Sequence, residues 1–257
     1  MWNRAGLKAN AKENLKRYYW PAFLVCIISG IFNGGGGASS GYNRMQTRFD
    51  NSSNSFQSFR DDMLLQPDML WLLGIVASIG IIIILIAIAV SLLVGNPLLV
   101  GKNRYFMCNR DVKTGVGEIG FAYSSGNFWN VVKIMFLMNL FIFLWTLLLI
   151  IPGIIKSYEY AMVPYILAEN PGIDSKRAFE LSKEMMQGEK WNYFVLQLSF
   201  IGWYLLGLLA CCIGVIFVSP YYEATMAEFY GWAREKMLAV GYSNHFELRG
   251  FGEGEEF

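Results

Sequence analysis

The sequence predicts an all-α, polytopic helical membrane protein with about six transmembrane helices arranged as hairpins, and three observations carry that expectation. Over 257 residues the chain is 54% hydrophobic and only 16% charged, too apolar for an ordinary soluble domain and long enough for several spans. Residues 131–151 are apolar around the whole helical circumference, broken only by Lys133, Asn139 and Thr146. About 20 such residues match a hydrocarbon core of roughly 30 Å at 1.5 Å per residue. The third observation is the distribution of charge. Residues 102–133 and 176–190 are both rich in Lys and Arg, and the positive-inside rule puts both on the cytoplasmic side. An even number of crossings must separate them, so 131–151 and 154–168 are expected to form a hairpin with Pro152-Gly153 at its outer tip.

Taken in order, residues 7–17 place Leu7, Ala11 and Leu15 at four-residue spacing opposite a basic face. This pattern suits a short helix on the membrane surface, or a solvated leader that sets orientation. The basic start followed by an apolar run resembles a signal peptide. Trp20-Pro21 opens that run and no small-residue cleavage pattern closes it, so retention as an anchor is expected. Tyr18-Tyr19-Trp20 forms an aromatic belt for a first helix over about 18–36. Residues 34–68 are full of Gly, Ser, Asn and Gln and are expected to be a disordered extracytoplasmic loop.

Residues 69–94, centred on Ile79-Gly80-Ile81-Ile82-Ile83-Ile84-Leu85-Ile86, form the clearest span, with Trp71 at its outer interface. Gly95-Asn96-Pro97 is expected to break or kink it. After the central hairpin, Glu169-Asn170-Pro171-Gly172 is turn chemistry, Asp174 is placed to cap a helix over 175–187, and Gly188 to end it. Ala178, Leu181 and Met185, with Phe179 and Met186 one strip over, make that helix amphipathic, and it is expected to lie along the cytoplasmic membrane face or to pack on the other cytoplasmic loops. Residues 191–210 form another span, and 221–232 a tyrosine-rich return after Ser219-Pro220. The pattern of apolar run, glycine-containing break and shorter aromatic helix occurs three times, at 95–97, 152–153 and 214–220, and suggests duplicated hairpins. The expected organisation is one membrane domain over 1–240 and a flexible tail over 241–257.

The stretches IFLWTLLLIIPGIIKSYEYAMVPYILAENPGI, SKEMMQGEKWNYFVLQLSFIGWYLLGLL and PYYEATMAEFY, with the opening LKANAKENLKRYYWPAF, resemble the uncharacterised bacterial membrane family catalogued as domain of unknown function 975. The resemblance implies a Gram-positive bacterial cytoplasmic-membrane protein and transfers no functional residues, since that family has no established activity. More distantly, the helices resemble the membrane portion of some glycerophosphodiester phosphodiesterases, without their catalytic domain.

No enzyme signature is present. Gly34-Gly35-Gly36-Gly37 lacks the lysine and hydroxyl residue of a phosphate loop, and there is no G-x-S-x-G or H-E-x-x-H. His245 stands without a Cys/His cluster, and Cys26, Cys211 and Cys212 fall in apolar runs, so neither a metal site, a cofactor nor a disulfide framework is expected. A net charge of +1 argues against nucleic acid as a partner. The expected partners are the lipid bilayer and another membrane protein or peptide. Ionisable groups near membrane helices are costly unless paired, which makes Lys156, Glu159, Glu223 and Glu228 the candidate polar intramembrane site. Lys156 and Glu159, three apart, are expected to pair. Glu159 and Glu223 are expected to meet across a pseudo-symmetric interface with Lys156 between them. Two readings follow: a non-enzymatic membrane component binding a lipid, peptide or partner protein, or a small transporter with a polar intramembrane site. Both termini are expected in the cytoplasm.

Overall fold

The computed structural model describes residues 3–33, 67–111, 114–209 and 213–251. Among them the chain is all-helical: α1 (Arg4–Asn33), α2 (Pro67–Val90), a π-helical turn (Ser91–Gly95), α3 (Asn96–Asp111), a 3-10 turn (Val116–Gly120), α4 (Phe121–Ser124), α5 (Phe128–Leu148), α6 (Ile150–Glu159), α7 (Val163–Glu169), α8 (Ser175–Met185), α9 (Lys190–Leu198), α10 (Ile201–Leu209) and α11 (Ile213–Ala239). Of the loop expected over 34–68, residues 34–66 lie outside the described residues, as do Cys211 and Cys212, while 67 and 68 open α2. Among the described residues, two helices are long and apolar enough to cross a bilayer, Gly74–Arg110 and Phe128–Leu148.

The helices are two-toned along their length. In α5, Val131, Ile134, Met135 and Met138 are buried, whereas Phe143, Leu144, Leu147 and Leu148 are exposed. Across the hairpin, Ile150, Ile151, Ile154 and Ile155 of α6 are exposed and Glu159 is buried. Trp203, Leu205, Leu206 and Phe217 of α10 and α11 are exposed, and the run from Glu223 to Ala233 is largely buried. In α2 the stretch from Ile79 to Ile88 is largely exposed, while its continuation α3 buries Val100, Tyr105, Phe106 and Met107. The chain therefore has an apolar, outward-facing zone at one end of its hairpins and a packed zone at the other that holds most of the charge.

Several breaks fall elsewhere than the sequence suggests. The tip of the central hairpin is Leu149, the extended residue between α5 and α6 (φ −158°, ψ 138°), and Pro152 sits in the first turn of α6, where a missing N–H costs nothing. Gly153 serves close approach rather than the turn. A Cβ there would lie 2.7 Å from Thr146 Cα, so glycine lets the two helices touch. At Gly95-Asn96-Pro97 the expected break or kink takes the form of a π turn over Ser91–Gly95, after which the helix runs on and the Asn96 amide reaches back to Ser91 O. Likewise Pro220 lies inside continuous α11. The expected 154–168 return is two helices, α6 and α7, separated by the turn at 160–162.

The amphipathic pieces pack on protein. Residues 4–17 and the following apolar run form one helix, kinked at Tyr18 (φ −138°), and Leu7, Ala11 and Leu15 are buried within the protein core, which corrects the surface-helix reading. In α8, Asp174 caps as expected by accepting from Lys176 N at 3.0 Å, and Gly188 follows at φ +78°. Ala178, Leu181, Met185 and Met186 are fully buried, each large side chain contributing about 1.5–3 kcal/mol, so the apolar strip is covered by protein. Of the tail expected to be flexible over 241–257, residues 252–257 lie outside the described residues and 241–251 are corrected. Over 241–251 the chain is docked: Leu248 is fully buried, and Arg177 holds Glu247 through Nε at 2.6 Å and Nη2 at 2.9 Å.

Candidate functional site

The packed zone is organised by ion pairs that tie α3 and α7 to α11 and α6 to α9. On α11, Glu223 accepts from Lys102 Nζ of α3 at 2.6 Å, with the two side chains 8% and 9% exposed. One and a half turns on, Glu228 lies 3.4 Å from Arg110 Nε and accepts from Asn14 Nδ2 of α1 at 3.0 Å. Arg110 reaches this carboxylate across Gly231, where any Cβ would collide with the guanidinium. Arg110 Nη2 also lies 3.5 Å from Glu235. Thus α1, α3 and α11 are tied together by charge in addition to the apolar contact of Tyr18 with Tyr105 and Phe106.

Farther along α11, Glu169 at the end of α7 is fully enclosed and takes three donors: Arg234 Nε at 2.7 Å, Tyr230 OH at 2.6 Å and Gly250 N at 2.7 Å. Tyr165, one turn earlier on α7, stacks on Tyr230 at 5.2 Å between ring centroids. Arg104 bonds Glu118 at 2.9 Å and Ala168 O at 2.9 Å, its guanidinium lying 3.7 Å over the Phe121 ring.

The remaining cluster sits at the foot of α6. Glu159 is gripped by two cations, Lys156 Nζ on Oε2 and Lys190 Nζ on Oε1, both at 2.6 Å. Its backbone carbonyl accepts from Ser182 Oγ at 2.7 Å, and the same hydroxyl oxygen accepts from Met162 N at 3.2 Å, which anchors α8 against the turn after α6. Beside it, Tyr158, Gln197 and Tyr222 form a chain in which the Tyr158 hydroxyl donates to Gln197 Oε1 at 3.3 Å and Gln197 Nε2 donates to the Tyr222 oxygen at 3.0 Å.

A family model described as protein of unknown function (DUF975) matches residues 42–236. The chain belongs to the DUF975 family. No curated protein and no solved structure matches it. The family description assigns no activity to any of the residues above, so their roles rest on geometry.

Of the four candidate residues, Lys156 and Glu159 are brought together as their spacing suggests. Glu223 and Glu228 are each given a different partner. Glu159 and Glu223 do not share Lys156: Glu159 takes Lys156 and Lys190, and Glu223 takes Lys102. The physical reason is that α3 supplies its own cations beside α11, and a buried carboxylate binds the nearest ammonium that needs no further desolvation. Lys102, Arg110, Glu169, Lys190 and Arg234 belong to these ion pairs and escaped the sequence reading. Their signal is weak, because charges in segments marked as cytoplasmic look solvated when read one residue at a time.

Proposed function

We propose that this DUF975 protein is a multi-pass component of the bacterial cytoplasmic membrane that crosses six times, keeps both termini in the cytoplasm and works by binding a lipid, peptide or partner protein. The observation that carries this reading is the segregation of exposed apolar surface. Leu24, most of the run from Ile79 to Ile88, most of Phe143 to Ile151, Ile154, Trp203, Leu205 and Leu206 face outward. A protein surrounded by water would expose patches of only a few hundred Å2, whereas lipid accepts such side chains without cost. Of the four tryptophans more than two-thirds exposed among the described residues, Trp20, Trp129 and Trp191 have Lys16, Lys133 and Lys190 within four residues, and Trp71 has no lysine or arginine that near. That pairing is what an interface between headgroups and acyl chains selects.

Binding is favoured over transport because the candidate residues find their counter-ions within the chain: Glu223 on Lys102, Glu228 on Arg110 and Glu159 on Lys156 and Lys190. Such closed pairs fix helix register and leave little free charge to carry a cation.

Two measurements test the topology. The protein should stay in the membrane pellet through alkaline carbonate. In a background without native cysteines, a cysteine at Leu149 should react with an impermeant maleimide in intact spheroplasts, and one at Ser124 or Lys176 only after lysis. Reaction of all three positions from the same side would rule out the hairpin crossing.

A further inference from the structure

We propose that the cavity between the end of α8 and the start of α9 binds the headgroup of one anionic phospholipid, whose acyl chain lies along the exposed stripe of α9 and α10. The inference deepens the binding reading above and rests on it. The cavity, of about 370 Å3, is lined by Lys183, Gln187, Gly188, Lys190 and Trp191, a size within the roughly 300–1,000 Å3 of small-ligand sites. Two ammonium groups, an amide and an indole are the donors a phosphodiester uses.

The local charge points to an anion. Lys156 and Lys190 both bond a single carboxylate, Glu159, so that cluster carries one positive charge in excess, and Lys183 adds another at the cavity wall. The side chain of Lys190 is 34% exposed, so it can meet an incoming oxygen while holding Glu159. Gly188, at φ +78°, turns the chain sharply enough to set the two lysines on one cavity. The apolar half of the site follows directly. From Trp191 the outward side chains continue through Phe194, Leu198, Ile201 and Leu205, at steps of three and four residues, each at least 36% exposed. A basic pocket at the foot of an apolar runway has the shape of a phospholipid. A soluble anion would use the pocket and leave the runway bare.

The test uses purified full-length protein in detergent, titrated with phosphatidylglycerol or with phosphatidylcholine, and counts bound lipid by native mass spectrometry. Phosphatidylglycerol should bind in preference. Each lysine near an anionic surface is worth about 1 kcal/mol, or about five-fold in affinity, so Lys183→Gln should lower phosphatidylglycerol affinity about five-fold and the Lys183→Gln/Lys190→Gln double about 25-fold. Lys190→Arg should retain it. The matched double Arg4→Gln/Lys12→Gln removes the same charge from exposed positions of α1 and should leave affinity unchanged. Since Lys190 also holds Glu159, Lys183→Gln is the variant that reads the site without breaking that pair. An equal loss in the Arg4/Lys12 double, no preference in the wild type, or full displacement of the lipid by inorganic phosphate would each overturn the proposal. Carbonate extraction separates the two readings: a protein that resists extraction but shows no lipid preference loses this site and keeps its membrane assignment.

Discussion

Replacing Glu223 by glutamine tests whether the ion pairs hold the packed zone together. The side chain keeps its shape while Lys102, 9% exposed and 2.6 Å away, loses its counter-charge. At that distance and an effective dielectric constant of about 20, the attraction is about 6 kcal/mol. Most of it is offset by the desolvation of both ions, so the pair adds little net stability, yet removing one partner strands a buried ammonium at a cost of about 3–5 kcal/mol. For a chain of this size that corresponds to a fall of roughly 6–20 °C in melting temperature. Lys102→Met in the same protein removes the stranded charge and should restore most of the loss. The assay is thermal unfolding of purified protein in one detergent, followed by scanning fluorimetry, for wild type, both singles and the double. If Glu223→Gln melts within a degree or two of wild type, or if Lys102→Met deepens the loss, the buried pair is not the tie described here.

Glu159→Gln and Glu223→Gln should have additive effects on melting temperature, because the two carboxylates hold different cations; a coupling above about 0.5 kcal/mol in the double-mutant cycle would reinstate a shared site. Gly153→Ala should open the α5–α6 hairpin by driving a methyl group onto Thr146, seen as lost folded yield, and Thr146→Ala should not rescue it, since the Thr146 backbone is also within 2.7 Å. Gly231→Ala should displace the Arg110 guanidinium, the movable end of a part-exposed side chain, and so lower the melting temperature less than Gly153→Ala, which meets backbone, whereas Gly6→Ala, with open space around it, should be neutral or slightly stabilising. The docked tail should respond to acid. The Arg177 hydrogen bonds hold the Glu247 carboxyl below its ordinary value against the opposing effect of burial. Its contribution is present above the unfolded carboxylate range and is lost as pH falls through the lowered folded value. Protection factors over 243–251, with the intrinsic pH dependence of amide exchange divided out, should therefore fall on acidification in wild type and be low at every pH in Glu247→Gln.

The fold was legible where periodicity and composition speak for themselves. The helix starting at Ser175, its Asp174 cap and its Gly188 stop follow from residue chemistry over a few positions, and the central hairpin follows from charge on both sides of it. Prolines misled because their meaning depends on position. Pro152 sits in a first turn where no hydrogen bond is lost and Pro220 lies within a helix that α1 and α10 pack against, whereas at Pro97 the expected break or kink is a π turn after which the helix runs on. The same ambiguity affects amphipathic stripes. Leu7, Ala11 and Leu15, like Leu181 and Met185, have the spacing of either a membrane-surface helix or a core helix, and periodicity reports only that one face is apolar, not what covers it.

The polar network was half legible for a related reason. A pair three residues apart, Lys156 and Glu159, can be read locally, since helix geometry fixes their distance. Lys102 with Glu223, Arg110 with Glu228 and Glu169 with Arg234 are joined across long stretches of chain, and no local rule relates them. What the sequence does show is their segregation. Lys102, Arg104 and Arg110 follow the clearest apolar run, and Glu223, Glu228 and Arg234 follow the last one. Two helices that leave the same apolar zone side by side bring those charged stretches level with each other. Opposite charges at matching distances from a hydrophobic boundary are therefore predisposed to meet, and the packed zone closes because α3 contributes mainly cations where α11 first contributes carboxylates. The sign of the charge after each apolar run then selects which helices become neighbours, a constraint that the positive-inside rule alone does not express.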